Sequence, residues 1–361
     1  MKRLYCMSVL VLVLGLFNVS SGWGGWQEDW ERTVQAAKKE GKVSMFGPTG
    51  TARRDALVRP FEKKFGISVE FLGGRVTSFP PKISAERRAG HFGWDLIVAG
   101  ALEALFVPMK IMAPLEPVLI LPEVKNMKNW RGGQLEFLDS GRTAMVMSPY
   151  TRGQLFINPS LVRESEFKSY KDLLNPKWKG KIVVDDPLKP GPGSATFGFF
   201  YLHPELGKDF IRKLLKQDLL ILKNYGQEID MIGAGKRPVG IGLSESIAEA
   251  RQRQGIPVMI TDPRKLKEGS DINPAVGQVG VFKQPAHPNA AKVYINWLLS
   301  KEGQTEFARA TGYISARLDV PTDHVPYWRV PVPGAIKTYG IEYREIVKKE
   351  MVPFVKSVMG R

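Results

Sequence analysis

The chain holds one cysteine, Cys6, and only four histidines. Cys6 lies near the N-terminus, ahead of the longest apolar run, so the remainder can form neither a disulfide nor a thiol nucleophile. His91, His203, His287 and His324 include no pair at metal-ligand spacing. His203 precedes Pro204 and His287 sits in "PAHPN", so both read as turn residues. No G-x-S-x-G elbow occurs. The adjacent Asp185 and Asp186 end a strand, where neighbours point to opposite faces; one capping or lining the following loop is the better reading than an acid–base pair. No long basic run, aromatic RNA-binding signature, repeat or low-complexity linker is present. These absences argue against an enzyme and against nucleic acid as a partner.

What is present begins with charge. Lysine and arginine number 52 against 36 acidic residues, a net charge of +16 over 361 residues. The basic residues are spread along amphipathic runs such as "FIRKLLKQ" and "EYREIVKKE", which reads as solvated surface with a diffuse preference for anions. "MKR", the apolar "VLVLVLGLF" and the small residues of "NVSSG" make residues 1–22 a Sec-type signal peptide, too short for a stable membrane span. An uncleaved signal anchor is the alternative. Cys6 is not at a lipobox position. Export to the periplasm is therefore expected, and loss of Lys2 and Arg3 with the leader lowers the charge by two, to +14.

Beyond the leader, short apolar strands alternate with amphipathic helices. "WQEDWERTVQAAKKEG" places Trp26, Trp30, Val34 and Ala37 on one stripe and stops at Gly41. Strand "KVSMF", loop "GPTGT" and helix "ARRDALVRPFEKKFG" follow, then strand "ISVEFL", the turn at Gly73, Gly74 and Arg75, helix "PPKISAERRAG" and strand "WDLIVAG". Such repetition implies parallel strands with helices on both faces, and ligands gather at the carboxyl ends of such strands. After residue 120 the rhythm changes. "RTAMVMSPYTRGQLFINP" reads as two extended runs about a polar turn. Helical signals return in "SYKDLLNPKW", "NAAKVYINWLLSKEGQTEFARATG" and the terminal "IEYREIVKKEMVPFVKSVM". With no loose linker, a two-lobed body needs strand crossings, best placed at 149–152 and near Gly277.

The loop in "DDPLKPGPGSATFGFFY", between strand "KIVV" and a helix, suggests an anion cradle. It lacks the lysine position of a phosphate-binding P-loop, and Thr196 stands where a dinucleotide fingerprint needs glycine. Gly193 permits close approach, Ser194 can cap or donate, and the amides of Ala195, Thr196 and Phe197 are expected at the helix start. The competing reading is Ser194 capping its own helix. A helix terminus adds about 0.3–1 kcal/mol to anion binding, whereas micromolar affinity needs roughly 8 kcal/mol. Other strand-end loops must converge on the same ligand: Thr49, Gly50 and Thr51; Arg75 and Thr77; Gly100 and Ala101; Tyr150 and Arg152; Ser244 and Glu245. Arg75 and Arg152 are the candidate guanidinium forks, with simple surface placement as the alternative for each.

"YKDLLNPKWKGKIVVDDP", "PVGIG" and "HPNAAKVYINWLLSKEGQTEFA", in this order and spacing, resemble periplasmic solute-binding proteins of ABC importers, in the branch of ferric-iron-binding proteins. The resemblance covers nearly all of the chain beyond the leader. It implies a type II periplasmic-binding-protein fold, α/β with two hinge-linked lobes, each a central mixed sheet flanked by helices. Lobe one is expected as 23–150 plus 277–330 and lobe two as 151–276 plus 331–361, with a third crossing near the C-terminal helix. Ferric members carry adjacent tyrosines after the strand matching "PVGIG"; here Leu243, Ser244, Glu245 and Ser246 stand there, so phenolate ligation of ferric iron is missing. The family's anion site matches Gly193, Ser194, Ala195 and Thr196.

The resulting expectation is a monomeric periplasmic receptor that captures a small anionic solute (an organic acid, phosphate ester, phosphonate or sulfonate) and delivers it to an ABC permease, with no cofactor. Glu245 would meet an amine if the ligand has one. The rival readings are a ferric or metal-chelate receptor using Glu245 and Asp186, a sensor subunit, or an enzyme on the same fold.

Overall fold

The computed structural model describes residues 25–360; the signal-peptide segment and Cys6 lie outside the described residues. Each apolar run read as a strand enters one of two mixed sheets. The first is seven-stranded, in the order Ser68–Gly73, Lys42–Gly47, Leu96–Ala99, Gln278–Phe282, Met145–Val146 and Glu136–Phe137, with Met112–Ala113 also paired to Gln278–Phe282. Its first three strands run parallel, as the strand–loop–helix repetition requires. Gln278–Phe282 returns antiparallel beside Leu96–Ala99, which makes the sheet mixed. The second sheet has five strands, Leu220–Leu222, Ile182–Asp185, Val239–Ile241, Leu155–Ile157 and Met259–Ile260. Both are covered by helices on each face, so their strands are apolar nearly throughout.

Aromatic side chains fill both faces of the first sheet. Phe61 packs on Tyr294 and Trp297, with ring centroids 4.8 and 5.5 Å apart. On the other face Phe46 stacks on Phe79 at 4.6 Å and on Trp94 at 4.1 Å. Burial of each such ring contributes about 1.5–3 kcal/mol, so each lobe carries its own core. In the second lobe Phe197, Phe199, Phe200 and Tyr170 occupy the equivalent place.

Tyr150–Thr151 and Ile272–Asn273 pair antiparallel in a two-stranded ribbon between the sheets. A third passage, residues 312–340, leads to C-terminal helices that pack against the helices Gly207–Leu215 and Pro192–Leu202.

Three expectations are corrected. "SYKDLLNPKW" forms two 3-10 turns, Tyr170–Leu174 and Pro176–Trp178, because Ser169 and Asn175 each cap a turn and Pro176 cannot continue a helix. The "NAAKV" helix is split into Pro288–Leu299 and Lys301–Thr311 at Ser300, whose hydroxyl accepts from Gly303 N at 3.3 Å. The terminal helix carries a π-turn at Val347–Met351 between two α segments.

Candidate functional site

A cleft of about 890 Å³ opens at the carboxyl ends of the parallel strands, between the two sheets. Thr49, Gly50, Thr51, Arg75, Thr77, Gly100, Ala101, Tyr150, Arg152, Ala195, Ser244 and Glu245 all line it. Local backbone chemistry explains several of these positions. Gly50 precedes the helix Thr51–Phe65 with φ of 108°, a conformation open to glycine, and directs that helix's N-terminus at the cleft. Gly100 lies against the crossing segment: a Cβ there would sit 2.3 Å from the carbonyl oxygen of Ala275.

The anion cradle differs from its expected form. The helix begins at Pro192, with Gly191 at the N-cap, and Ser194 makes no side-chain cap. Ala195 N donates to Gly191 O at 3.1 Å, and Thr196 and Phe197 lie inside the helix, so the helix starts three residues earlier than anticipated, at Pro192 instead of Ala195. Gly193, Ser194 and Thr196 are buried behind the wall that Gly191, Pro192 and Ala195 present to the cleft. The Gly193 amide already donates to Asp185 Oδ2 at 2.9 Å. Asp186 likewise accepts from Leu188 N at 3.0 Å, so both aspartates cap the loop. Burial raises the Asp185 carboxyl, and burial beside Asp185 raises that of Glu228.

Arg152 is not a free fork. Its Nε lies 3.1 and 3.0 Å from the two oxygens of Asp271, and its Nη2 donates to Thr196 Oγ1 at 3.1 Å. Glu245 is equally committed, which removes the expected amine partner. Glu245 accepts from Tyr150 Oη at 2.7 Å and Gly153 N at 2.9 Å, and Arg329 Nη2 lies 3.5 Å away. Burial raises the Glu245 carboxyl against the opposing effect of Arg329. Tyr150 stacks on Tyr313 with centroids 4.1 Å apart, and burial with the Glu245 charge pushes its phenol well up.

Other cleft residues escaped the sequence reading. Arg53, Tyr225, Arg253, Tyr313, His324 and Arg329 all line the wall. Arg53 lay within reach of inference, two residues past "GPTGT" in the first helical turn. Tyr313, His324 and Arg329 come from the irregular passage between the last helices, where no periodicity marks a facing side. Among the described residues, no cluster of His, Cys, Asp and Glu could hold a metal, and no helix is long and apolar enough to cross a membrane.

Residues 56–331 match the family model for bacterial extracellular solute-binding proteins. The chain belongs to that family. A curated relative from Haemophilus influenzae, an uncharacterized protein, is 29% identical over 139 residues, and the match spans 38% of each chain. Solved structures show the same two-lobed, type II periplasmic-binding-protein fold at low identity. AfuA from Actinobacillus pleuropneumoniae, with fructose-6-phosphate bound, superposes with a TM-score of 0.65 at 16% identity, covering 87% of this chain and 98% of its own. Iron-bound HitA from Pseudomonas aeruginosa gives 0.66 at 17%, covering 88% and 99%. Apo ferric ion-binding protein A from Pasteurella haemolytica gives 0.67 at 17%, covering 88% and 98%.

Proposed function

We propose that this family member is the periplasmic receptor of an ABC importer and captures a small organic anion, with a phosphate ester favoured among the anions. The lobes are 23–150 with 277–330 and 151–276 with 331–361, and closure about the crossing strands buries the ligand. The observation that carries the reading is the cationic cleft wall: Arg53 and Arg75 line it without a carboxylate partner among the described residues. Guanidiniums that form no salt bridge among the described residues, beside the N-terminus of the helix Thr51–Phe65, favour an anion. AfuA, similar in fold, was solved with a phosphorylated sugar. Binding rather than turnover fits membership of the solute-binding family.

Iron-bound HitA keeps a ferric reading in view. Here Leu243, Ser244, Glu245 and Ser246 follow the strand Val239–Ile241 with no tyrosine among them, which argues against phenolate ligation of Fe³⁺. Native mass spectrometry of protein purified without refolding identifies what copurifies, and thermal-shift screening against phosphate esters, organic acids, sulfonates and Fe³⁺ tests the class. Stabilisation by an organic anion alone is expected. Stabilisation by Fe³⁺ alone, with a tyrosinate absorption band, would overturn the anion reading.

A further inference from the structure

Two arginine–tyrosine pairs face the cleft from separate segments. The guanidinium of Arg75 lies 5.1 Å from the ring centroid of Tyr225, and that of Arg53 lies 5.9 Å from the ring of Tyr313. Arg53 Nη2 also reaches Tyr313 Oη at 3.5 Å. Four other arginines along this wall have internal counter-ions, Arg152 with Asp271, Arg309 with Asp323, Arg329 with Glu249 and Arg344 with Glu103, while the exposed Arg253 forms no salt bridge among the described residues and lies over no ring there. Arg53 and Arg75 form no salt bridge among the described residues, although Arg75 is near enough to Glu228 to oppose the rise of its carboxyl. Each is held over a ring face, which fixes the guanidinium without neutralising it.

The surroundings of the two pairs differ. Tyr225 opens the helix Tyr225–Gly233 of the second lobe, and a Cβ on Gly191 would lie 3.1 Å from its hydroxyl. Tyr313 belongs to the passage 312–340, and its carbonyl oxygen lies 2.8 Å from His324 Nε2. A carbonyl only accepts, so Nε2 donates, while Nδ1 lies 3.9 Å from Asp323 Oδ1. Nδ1 has no hydrogen-bond partner among the described residues, although the His324 side chain is only 9% exposed and the residue lines the cleft. Tyr150, stacked on Tyr313, donates its hydroxyl to the Glu245 carboxylate and so offers an anion no free donor. Cleft volume points the same way: sites of about 300–1,000 Å³ take drug-sized ligands, and about 890 Å³ far exceeds a lone oxyanion.

We propose that the ligand carries two separate anionic groups, one received by Arg75 beside Tyr225 and the other by Arg53 beside Tyr313. Phosphorylated carboxylic acids and sugar bisphosphates are the chemical classes that fit. The inference rests on the anion-receptor reading above and narrows it.

The test is titration calorimetry at low and physiological salt with matched pairs that differ by one anionic group. Suitable pairs are glycerol 3-phosphate against 3-phosphoglycerate, and fructose 6-phosphate against fructose 1,6-bisphosphate. In at least one pair the doubly substituted member should bind about 10–100-fold tighter, the worth of one added charge-assisted contact. Arg53→Ala and Arg75→Ala, at partly exposed positions, should each remove that advantage while leaving the melting temperature nearly unchanged. Arg→Lys at either position should restore part of it. Equal affinity within both pairs, with each variant weakening the single anion alike, would mean that both arginines clamp one group; the two-anion proposal then fails and the receptor reading stands. Binding of none of the four probes nor of any anion in the thermal-shift panel would defeat both.

Discussion

Arg152 and Asp271 form a buried ion pair that ties together the two strands crossing between the lobes. Arg152 Nε lies 3.1 and 3.0 Å from the Asp271 oxygens, and the strands bearing them pair at Tyr150–Thr151 and Ile272–Asn273. Gln154 Nε2 donates to the same carboxylate at 2.6 Å, and Thr338 Oγ1, from the third passage, donates to it as well. All three chain passages between the lobes therefore meet at one carboxylate.

Asp271→Ala should accordingly be strongly destabilising. Removing one partner of a buried pair costs about 3–5 kcal/mol because the remaining charge is left uncompensated. Denaturant unfolding followed by circular dichroism measures this, and a loss below about 1 kcal/mol would show that water reaches Arg152.

Gly193→Ala should disturb the start of the helix Pro192–Leu202. Its Cβ would meet the Asp185 backbone carbonyl at 2.1 Å, and the Gly193 N–H bond to the Asp185 side chain would be lost or lengthened. A backbone neighbour cannot rotate away, so a loss of about 1–3 kcal/mol is expected for overpacking. A melting temperature within one degree of the parent would contradict the close approach.

Asp185 and Glu228 give a pH signature. Their carboxyls are raised from 3.8 to about 6 and from 4.5 to about 8, with burial the leading cause in each. The folded state therefore holds extra protons, and this contribution to stability is full below about pH 4 and lost as pH rises towards about 8. Glu228→Gln cannot ionise, so its melting temperature relative to the parent should increase between pH 5 and pH 9, by about 2–4 °C for each kcal/mol relieved. Parallel pH profiles for the two proteins would remove Glu228 as the source.

Ser300→Ala should cost about 0.5–2 kcal/mol, the usual loss for an N-cap. Its hydroxyl caps Gly303 N at 3.3 Å and donates to Trp297 O at 2.7 Å, where the two helices part. Because the lesion lies in the first lobe's outer helices, anion affinity should stay within twofold. A tenfold loss of affinity would show that this junction communicates with the cleft.

Much of the fold was legible because its signals are local. The stripe of Trp26, Trp30, Val34 and Ala37 forms the expected helix Gly25–Glu40, and "KVSMF" forms Lys42–Gly47. The extended runs on either side of the polar turn form the strands Met145–Val146 and Leu155–Ile157. Helix breaks were legible only in part: Ser300 is an ordinary capping residue within a strong 3.6-residue pattern, and the periodicity hid the break. Strand-end loops could be nominated for the same local reason, and Thr49, Gly50, Arg75 and Ser244 do line the cleft.

Charge balance was decided by the tertiary structure. In the sequence Arg53, Arg75 and Arg152 are three similar arginines. Folding sets Asp271, 119 residues away, against Arg152, and leaves Arg53 and Arg75 over tyrosine rings. Glu245 was readable as a candidate, but its commitment to Tyr150 and Gly153 depends on contacts across more than 90 residues. The sequence by itself determined the elements, the lobes' alternating pattern and the loops at the strand ends, because these follow from neighbours along the chain. Only the tertiary structure decided which charges are cancelled and which remain for a ligand, because an ion pair is set by distance in space.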